Sequence, residues 1–317
     1  MPRPLPFTGP WLLAPMEGIT EPCFRSLVLA RNPPERLGGA FTEFVRVNDH
    51  AVPAWVLREH LGPDRFAAPV GLQLMGSNPE TLSQTAEQAE AVGAPVIDLN
   101  FGCPAKGALR GCAGSALLRD PSAVERLVRS CVAATRRVPV TAKIRAGYDD
   151  DSRVEELARA AQQGGAAMLT VHCRTRKEGY CPEVNWERIA RAVGAVSIPV
   201  CGNGGASCHA DLEEMRRRTG CARVMVGRGA LADPWIFSGR AATAAEAAGF
   251  LLDYAEQLGA RAGFAPAAAS DRLKQLIRQW TAGGLCDRDR DGWLREVDPE
   301  RLLERLRTIA GLASRPA

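Results

Sequence analysis

The sequence predicts an α/β protein, a closed (β/α)8 TIM barrel followed by a small C-terminal helical bundle. Three observations carry this. Eight short apolar runs alternate with amphipathic helical stretches over about 235 residues, close to the ~250 typical of such a barrel. The runs are almost continuously apolar, as strands buried on both faces are. The alternation stops after Asp233-Pro234, beyond which only helical spacing recurs.

The strands are expected at residues 11–14, 40–44, 70–74, 96–100, 140–144, 168–172, 199–201 and 223–226. Helical patterns separate them, for example at 79–92, 122–135, 153–163 and 210–218. Asn78-Pro79 and Asp120-Pro121 each place a capping side chain just before a proline suited to the first helical turn. The rival architecture, a doubly wound open sheet, usually shows GxGxxG after its first strand, and that motif is missing here. Residues 1–240 are therefore read as the barrel domain and 241–317 as the helical domain. Within the latter, 241–262, 270–281 and 299–313 have helical spacing, with 263–269 and 283–292 as connecting loops.

Composition excludes several classes. Hydrophobic content of 46% and charged content of 24% are ordinary for a soluble globular chain. A net charge of +4 does not by itself indicate nucleic-acid binding. Its distribution is uneven: nine Lys/Arg against two Asp/Glu lie between Phe101 and Arg145, which reads either as a solvated helix face or as a surface for a polyanion. The ten cysteines form no CxxC pair and there are four histidines, so neither a disulfide framework nor a zinc site is expected. Four prolines in the first ten residues rule out a secretory core, and no apolar run approaches the ~20 residues of a membrane span. The expectation is a reducing, cytoplasmic compartment, no membrane, no metal and a monomer.

In a barrel, chemistry sits at the C-terminal ends of the strands. Read there in order, the sequence offers Met16-Glu17, Glu43, Gln73, Asn100 with Cys103, Lys143 with Arg145, His172, Asn203-Gly204-Gly205 and Gly227-Arg228-Gly229. The last two groups predict a phosphate site, because glycines let backbone N–H groups approach an anion and a helix can start at Gly229. Two ordinary βα turns are the alternative. Lys143 is either a cation aimed into the mouth or the partner of a carboxylate such as Glu43. His172 is either a ligand-binding group or a satisfied core histidine. Cys103 stands in Asn100-Phe101-Gly102-Cys103-Pro104, a loop shaped by Gly and Pro. A thiol with an ordinary pKa of about 8.5 keeps its proton near neutrality and can donate it. A thiolate nucleophile lacks a histidine nearby in sequence, and a buried structural cysteine is the default for any one of ten.

The segments Leu13-Ala14-Pro15-Met16-Glu17-Gly18, Thr42-Glu43-Phe44-Val45-Arg46-Val47, Asp98-Leu99-Asn100-Phe101-Gly102-Cys103-Pro104, Val171-His172-Cys173-Arg174-Thr175 and Val226-Gly227-Arg228-Gly229-Ala230-Leu231 resemble the tRNA-dihydrouridine synthase family. Thr42–Val47 and Arg272-Leu273-Lys274-Gln275 are similar to the bacterial branch acting on uridine 16. The resemblance implies FMN as cofactor, NADPH as a transient reductant and tRNA as substrate. It implies that Pro15, Met16 and Glu17 line the flavin, that Gln73 and Lys143 bond its ring, and that His172 lies near it. Asn203, Gly204, Gly205, Gly227 and Arg228 would hold the phosphate. Cys103 matches the proton donor, Asn100, Arg145 and Tyr180 the surroundings of the target uracil, and Val45 a tRNA contact. Arg272, Lys274 and Arg278 fall on adjacent turns of one predicted helix and read either as contacts to tRNA phosphates or as a solvated stripe. Gly205 stands where many relatives carry an acidic residue, and Phe101 replaces a small one. Two other readings share some of these features: an FMN-dependent dehydrogenase of a free pyrimidine, dihydroorotate dehydrogenase-like, and a tRNA-binding chaperone without catalysis.

Overall fold

The computed structural model describes residues 3–105, 107–108 and 112–312. Lys106 and Arg110 of the basic stretch lie outside the described residues. The strands are β1 (Trp11–Leu13), β2 (Leu37–Phe41), β3 (Val45–Arg46), β4 (Val70–Met75), β5 (Ile97–Phe101), β6 (Val140–Arg145), β7 (Leu169–His172), β8 (Val200–Asn203) and β9 (Arg223–Val226). They form one parallel sheet in the order β2-β1-β9-β8-β7-β6-β5-β4, and a further β2–β4 pairing closes it into an eight-stranded barrel. The two-residue β3 is an addition that pairs with the C-terminal end of β4, Val45 opposite Leu74 and Arg46 opposite Met75.

Alternate strand residues point inward. Leu12, Ala14, Phe41, Val96, Met168, Cys201 and Met225 form a buried cluster with Phe7, which precedes the first strand. The inward positions nearer the strand ends turn polar: Gln73 on β4, Asp98 and Asn100 on β5, Thr141, Lys143 and Arg145 on β6, His172 on β7 and Asn203 on β8.

The helices between the strands include α1 (Pro22–Ala30), α2 (Ala54–Leu61), α3 (Pro79–Ala91), α4 (Pro121–Ala134), α5 (Val154–Gln163), α6 (Glu187–Ala195) and α7 (His209–Thr219). The two expected caps form: Asn78 Oδ1 accepts the Glu80 amide at 2.9 Å and Asp120 Oδ1 that of Ser122 at 3.0 Å. After β9 come α8 (Arg228–Ala232), α9 (Ala244–Ala262), α10 (Pro266–Ile277), α11 (Arg290–Arg295) and α12 (Pro299–Ala310). No helix among the described residues is long and apolar enough to cross a membrane.

Three local expectations shift. The second strand starts at Leu37, earlier than expected, and takes in Gly38 and Gly39. Those glycines signal a loop in sequence, but here they admit a close approach: a Cβ on Gly38 would lie 2.0 Å from Gly9 N, and one on Gly39 2.6 Å from the Phe7 ring. The helix expected at 270–281 starts instead at Pro266, a residue at home in a first turn. Its last carbonyl meets a side chain, since Arg290 donates to Ile277 O at 2.5 Å and, beyond the helix, to Trp280 O at 2.7 Å. Arg290 opens α11, a short helix inside a stretch expected to be loop.

The chain divides into two compact units, one made of residues 1–22 and 34–227, the other of 23–33 and 228–317. The first contains all the strands. The second joins α1 to the C-terminal helices around an aromatic core. Phe250 on α9 packs against Phe24 at 5.8 Å, Trp235 at 5.8 Å and Trp280 at 5.5 Å between ring centroids, with the Arg31 guanidinium 4.9 Å from its own. Arg31 also pairs with Asp253. Phe250→Ala should lower stability by about 3–5 kcal/mol, read as a fall in the urea midpoint; an unchanged midpoint would show that these rings do not form a core.

Candidate active site

The polar residues converge because neighbouring strands are in matched register. Gln73 is opposite Asp98, Asp98 opposite Thr141 and Asn100 opposite Lys143, while His172 is opposite both Arg145 and Asn203. Asn100 closes the turn that follows β5. Its Oδ1 accepts the Gly102 amide at 2.9 Å and the Cys103 amide at 3.0 Å, an Asx-type turn that fixes the Cys103 backbone. From the other side Cys103 O accepts the Ser115 amide at 3.0 Å and the Ser115 hydroxyl at 2.9 Å. The side chain packs against a small apolar cluster of Met75, Ala108 and Ala113. Burial pushes the Cys103 thiol above its ordinary value, and the Glu17 charge adds to this. A hydrogen bond from the Ala105 backbone and the charges of Arg46 and Arg145 pull the other way without overcoming it. The thiol therefore holds its proton at neutral pH.

Lys143 Nζ donates to Asn203 Oδ1 at 3.1 Å, and Asn203 Nδ2 donates to Met225 O at 2.8 Å. Burial lowers the Lys143 ammonium to about 8, with the Arg145 charge acting in the same direction and Asp98 against it. The carboxylate of Glu43, by contrast, accepts the Ile19 amide at 2.9 Å. Arg145 is almost fully buried and binds three backbone carbonyls: Gly102 O at 2.9 Å, Thr175 O at 3.0 Å and Gly179 O at 3.0 Å. It thus ties the Cys103 loop to the segment after β7. That segment carries Tyr180, 60% exposed, whose ring lies 5.2 Å from the Arg145 guanidinium and 6.5 Å from the His172 ring.

His172 Nδ1 accepts the Arg174 amide at 3.2 Å, which leaves the proton on Nε2. A Cβ on Gly204 would lie 3.1 Å from that Nε2, so the imidazole faces the Gly204-Gly205 turn. Both glycines have positive φ, +100° and +86°, a backbone region that other residues rarely enter. Gly227 follows β9 beside Met16, whose Sδ is 3.2 Å from where a Cβ would be. Arg228 begins α8, where the chain enters the second unit.

These residues suit an anionic cofactor. Lys143, Arg145 and Arg174 carry positive charge around the mouth, and Nε and Nη1 of the buried Arg174 have no hydrogen-bond partner among the described residues. Glu178 is already taken by Arg188, at 2.7 Å. Buried cation donors without partners fit a negatively charged ligand, and glycine turns beside an imidazole N–H fit its phosphate. Among the described residues no cluster of three or more His, Cys, Asp or Glu is arranged to hold a metal.

Of the other expected site residues, Pro15 and Met16 are half-buried after β1, and the exposed Glu17 pairs with Arg46 at 3.8 Å. Val45 is buried in β3. Arg272 and Lys274 lie on α10 in the second unit, Arg272 with its guanidinium 5.6 Å from the Phe264 ring. Sequence reasoning missed Asp98 as a functional candidate. It is fully buried and accepts Gln73 Nε2 and Thr141 Oγ1, each at 2.6 Å. The signal was present, an acidic residue two before Asn100 inside an otherwise apolar strand.

A closed parallel barrel with a thiol, a lysine and a pair of glycines at positive φ near the C-terminal strand ends has the organisation of a barrel enzyme. The family model described as dihydrouridine synthase (Dus) matches residues 12–259, and the chain belongs to this family. Among curated relatives, the tRNA-dihydrouridine(16) synthase of Cupriavidus necator is 42% identical over 231 residues, 71% of each chain. The protein of the same name from Aquipseudomonas alcaligenes is 37% identical over 292 residues, 85% of this chain and 89% of its own. That of Ralstonia nicotianae is 40% identical over 232 residues, 71% of this chain and 70% of its own.

The geometry accounts for Gly205. A Cβ there would come within 2.6 Å of Val184 Cγ1, so an acidic side chain has no room while Val184 occupies that space. Gly205→Asp should cost about 1–3 kcal/mol, seen as a lower melting temperature, with part of that stability recovered by adding Val184→Ala. An undiminished melting temperature in the single variant would contradict this packing.

Proposed function

We propose that this chain is an FMN-dependent tRNA-dihydrouridine synthase that reduces the C5=C6 bond of uridine 16 in the D-loop, with NADPH as transient reductant. The observation that carries the reading is Cys103, a thiol kept protonated by burial and held by Asn100 at the barrel mouth. The shared name of the relatives supports position 16. FMN, when bound, would supply the hydride that adds at uracil C6.

Cys103 then delivers its proton to C5 from the opposite side of the ring. Lys143, cationic at neutral pH, would hold the flavin ring together with Gln73 and favour negative charge there. Pro15, Met16 and Glu17 flank it. Asn203, Gly204, Gly205, Gly227 and Arg228 hold the phosphate, with His172 Nε2–H as a further donor. Arg145 and Asn100 shape the uracil pocket from its wall, and Tyr180 offers an exposed ring to the extruded base. The helical residues 241–317 dock the tRNA through Arg272 and Lys274, and Val45 sets the position of Arg46 at the edge of the mouth.

Three experiments test this reading. Mass-spectrometric mapping of tRNA from a strain lacking the protein should show dihydrouridine missing at position 16 alone, and Cys103→Ala should lower uridine reduction by about 10²–10⁴-fold while the purified protein stays yellow. Absence at another position, or full turnover by the variant, would contradict it. Arg272→Ala with Lys274→Ala should weaken tRNA binding and flatten its salt dependence, by about one unit of slope for each phosphate no longer neutralised; an identical salt plot would place the docking surface elsewhere.

A further inference from the structure

Gln73, Asp98 and Thr141 stand side by side on β4, β5 and β6, all fully buried. Thr141 Oγ1 donates to Asp98 Oδ1, and Gln73 Nε2 donates to Asp98 Oδ2. The other end of the Gln73 amide, Oε1, accepts Asn100 Nδ2 at 2.8 Å. Asn100 Oδ1 then accepts the amides of Gly102 and Cys103. A continuous line of hydrogen bonds thus runs from the Asp98 carboxylate to the backbone of Cys103.

The direction of that line matters. A primary amide is nearly symmetric in shape but not in polarity: its oxygen only accepts and its nitrogen only donates. The oxygen of Asp98 facing Gln73 accepts, so the Gln73 nitrogen must turn towards it and the Gln73 oxygen towards Asn100. Asn100 must then present its nitrogen to Gln73 and its oxygen to the loop. Reversing the Asn100 amide would set N–H against N–H at Cys103 and release the turn. Packing alone does not call for a carboxyl group here: burial pushes the Asp98 carboxyl above its ordinary range, the Thr141 and Gln73 hydrogen bonds and the Lys143 charge pull it back, and a buried polar group of this kind costs more than an apolar side chain of similar size.

We propose that Asp98 is a positioning residue for uridine reduction: it sets the polarity of the Gln73 and Asn100 amides and through them holds the Cys103 thiol in place. The inference rests on the function proposed above, in which Cys103 donates the proton. Asp98 also acts on Lys143 by its charge, and two substitutions separate the roles. Asp98→Asn keeps an acceptor for Gln73 and, through its new N–H₂, a partner for the Thr141 hydroxyl, but removes the charge. Asp98→Leu removes both.

Three quantities are measured on the full-length flavoprotein: iodoacetamide alkylation of Cys103, resolved from the other cysteines by mass spectrometry; kcat and KM for tRNA; and bound flavin by absorbance. Asp98→Leu should lower kcat about 10- to 100-fold with KM and flavin content retained, and should change the Cys103 alkylation rate. Asp98→Asn should leave that alkylation rate at the wild-type value. Equal effects of the two variants, or a Cys103 rate that responds to neither, would overturn the proposal. If Asp98→Leu does not fold, Gln73→Glu sets carboxylate against carboxylate and should disturb Cys103 alkylation. Adding Asp98→Asn should restore it, and failure of that rescue overturns the proposal equally. A wild-type protein that does not reduce tRNA would refute the functional reading alone, since alkylation still reports on the loop.

Discussion

The pair of hydrogen bonds from the Gly102 and Cys103 amides to Asn100 Oδ1 is the constraint on which the rest of the site depends. It converts a strand end into a turn of fixed shape and gives the thiol at the mouth a defined place. Everything behind it serves that geometry. The parallel register lines up β4, β5 and β6 so that their inward side chains meet at hydrogen-bonding distance. The apolar layer beneath keeps water away from them, which strengthens each polar contact and makes each unmet one expensive.

The mouth combines groups that would disturb one another in water. A thiol that keeps its proton sits within reach of the charges of Arg145 and Arg46, both of which favour its thiolate. Burial outweighs them. Arg145 is largely spent on carbonyls: Gly102, Thr175 and Gly179 together take up its Nε and Nη1. Its role in the fold is to clamp two loops across the mouth, and that clamp also carries Tyr180 to the rim. Lys143 is held differently, by a single amide oxygen and the more distant Asp98, and so remains the more responsive cation.

Much of this was legible in sequence, for identifiable reasons. Strands buried on both faces show as apolar runs whatever their partners, so all eight barrel strands could be placed. Asn78-Pro79 and Asp120-Pro121 marked helix starts because capping is local chemistry. Boundaries set by distant contacts were not legible. The start of β2 depends on Gly9 and Phe7 approaching Gly38 and Gly39, and α10 ends where Arg290, more than ten residues on, reaches its last carbonyl. The joining of α1 to the C-terminal helices rests on Phe24 meeting Phe250 and Tyr254, a pairing no local pattern announces. At the site, Cys103, Lys143 and His172 stood out as polar residues at strand ends. Asp98 lay one layer deeper, and only the register shows what it holds.

The protonation state of Cys103 during turnover tests the account most directly. The single-turnover rate of tRNA reduction by pre-reduced enzyme should be measured from about pH 6 to pH 10, spanning the ordinary thiol range. Lys143 loses its charge near pH 8 and the Cys103 thiol, raised by burial, ionises above its usual range, so the account predicts a rate that is level through neutrality and falls as the pH climbs from there. A rate that instead grows with pH from neutrality upward would mean that the thiolate is the working form, and would contradict the account.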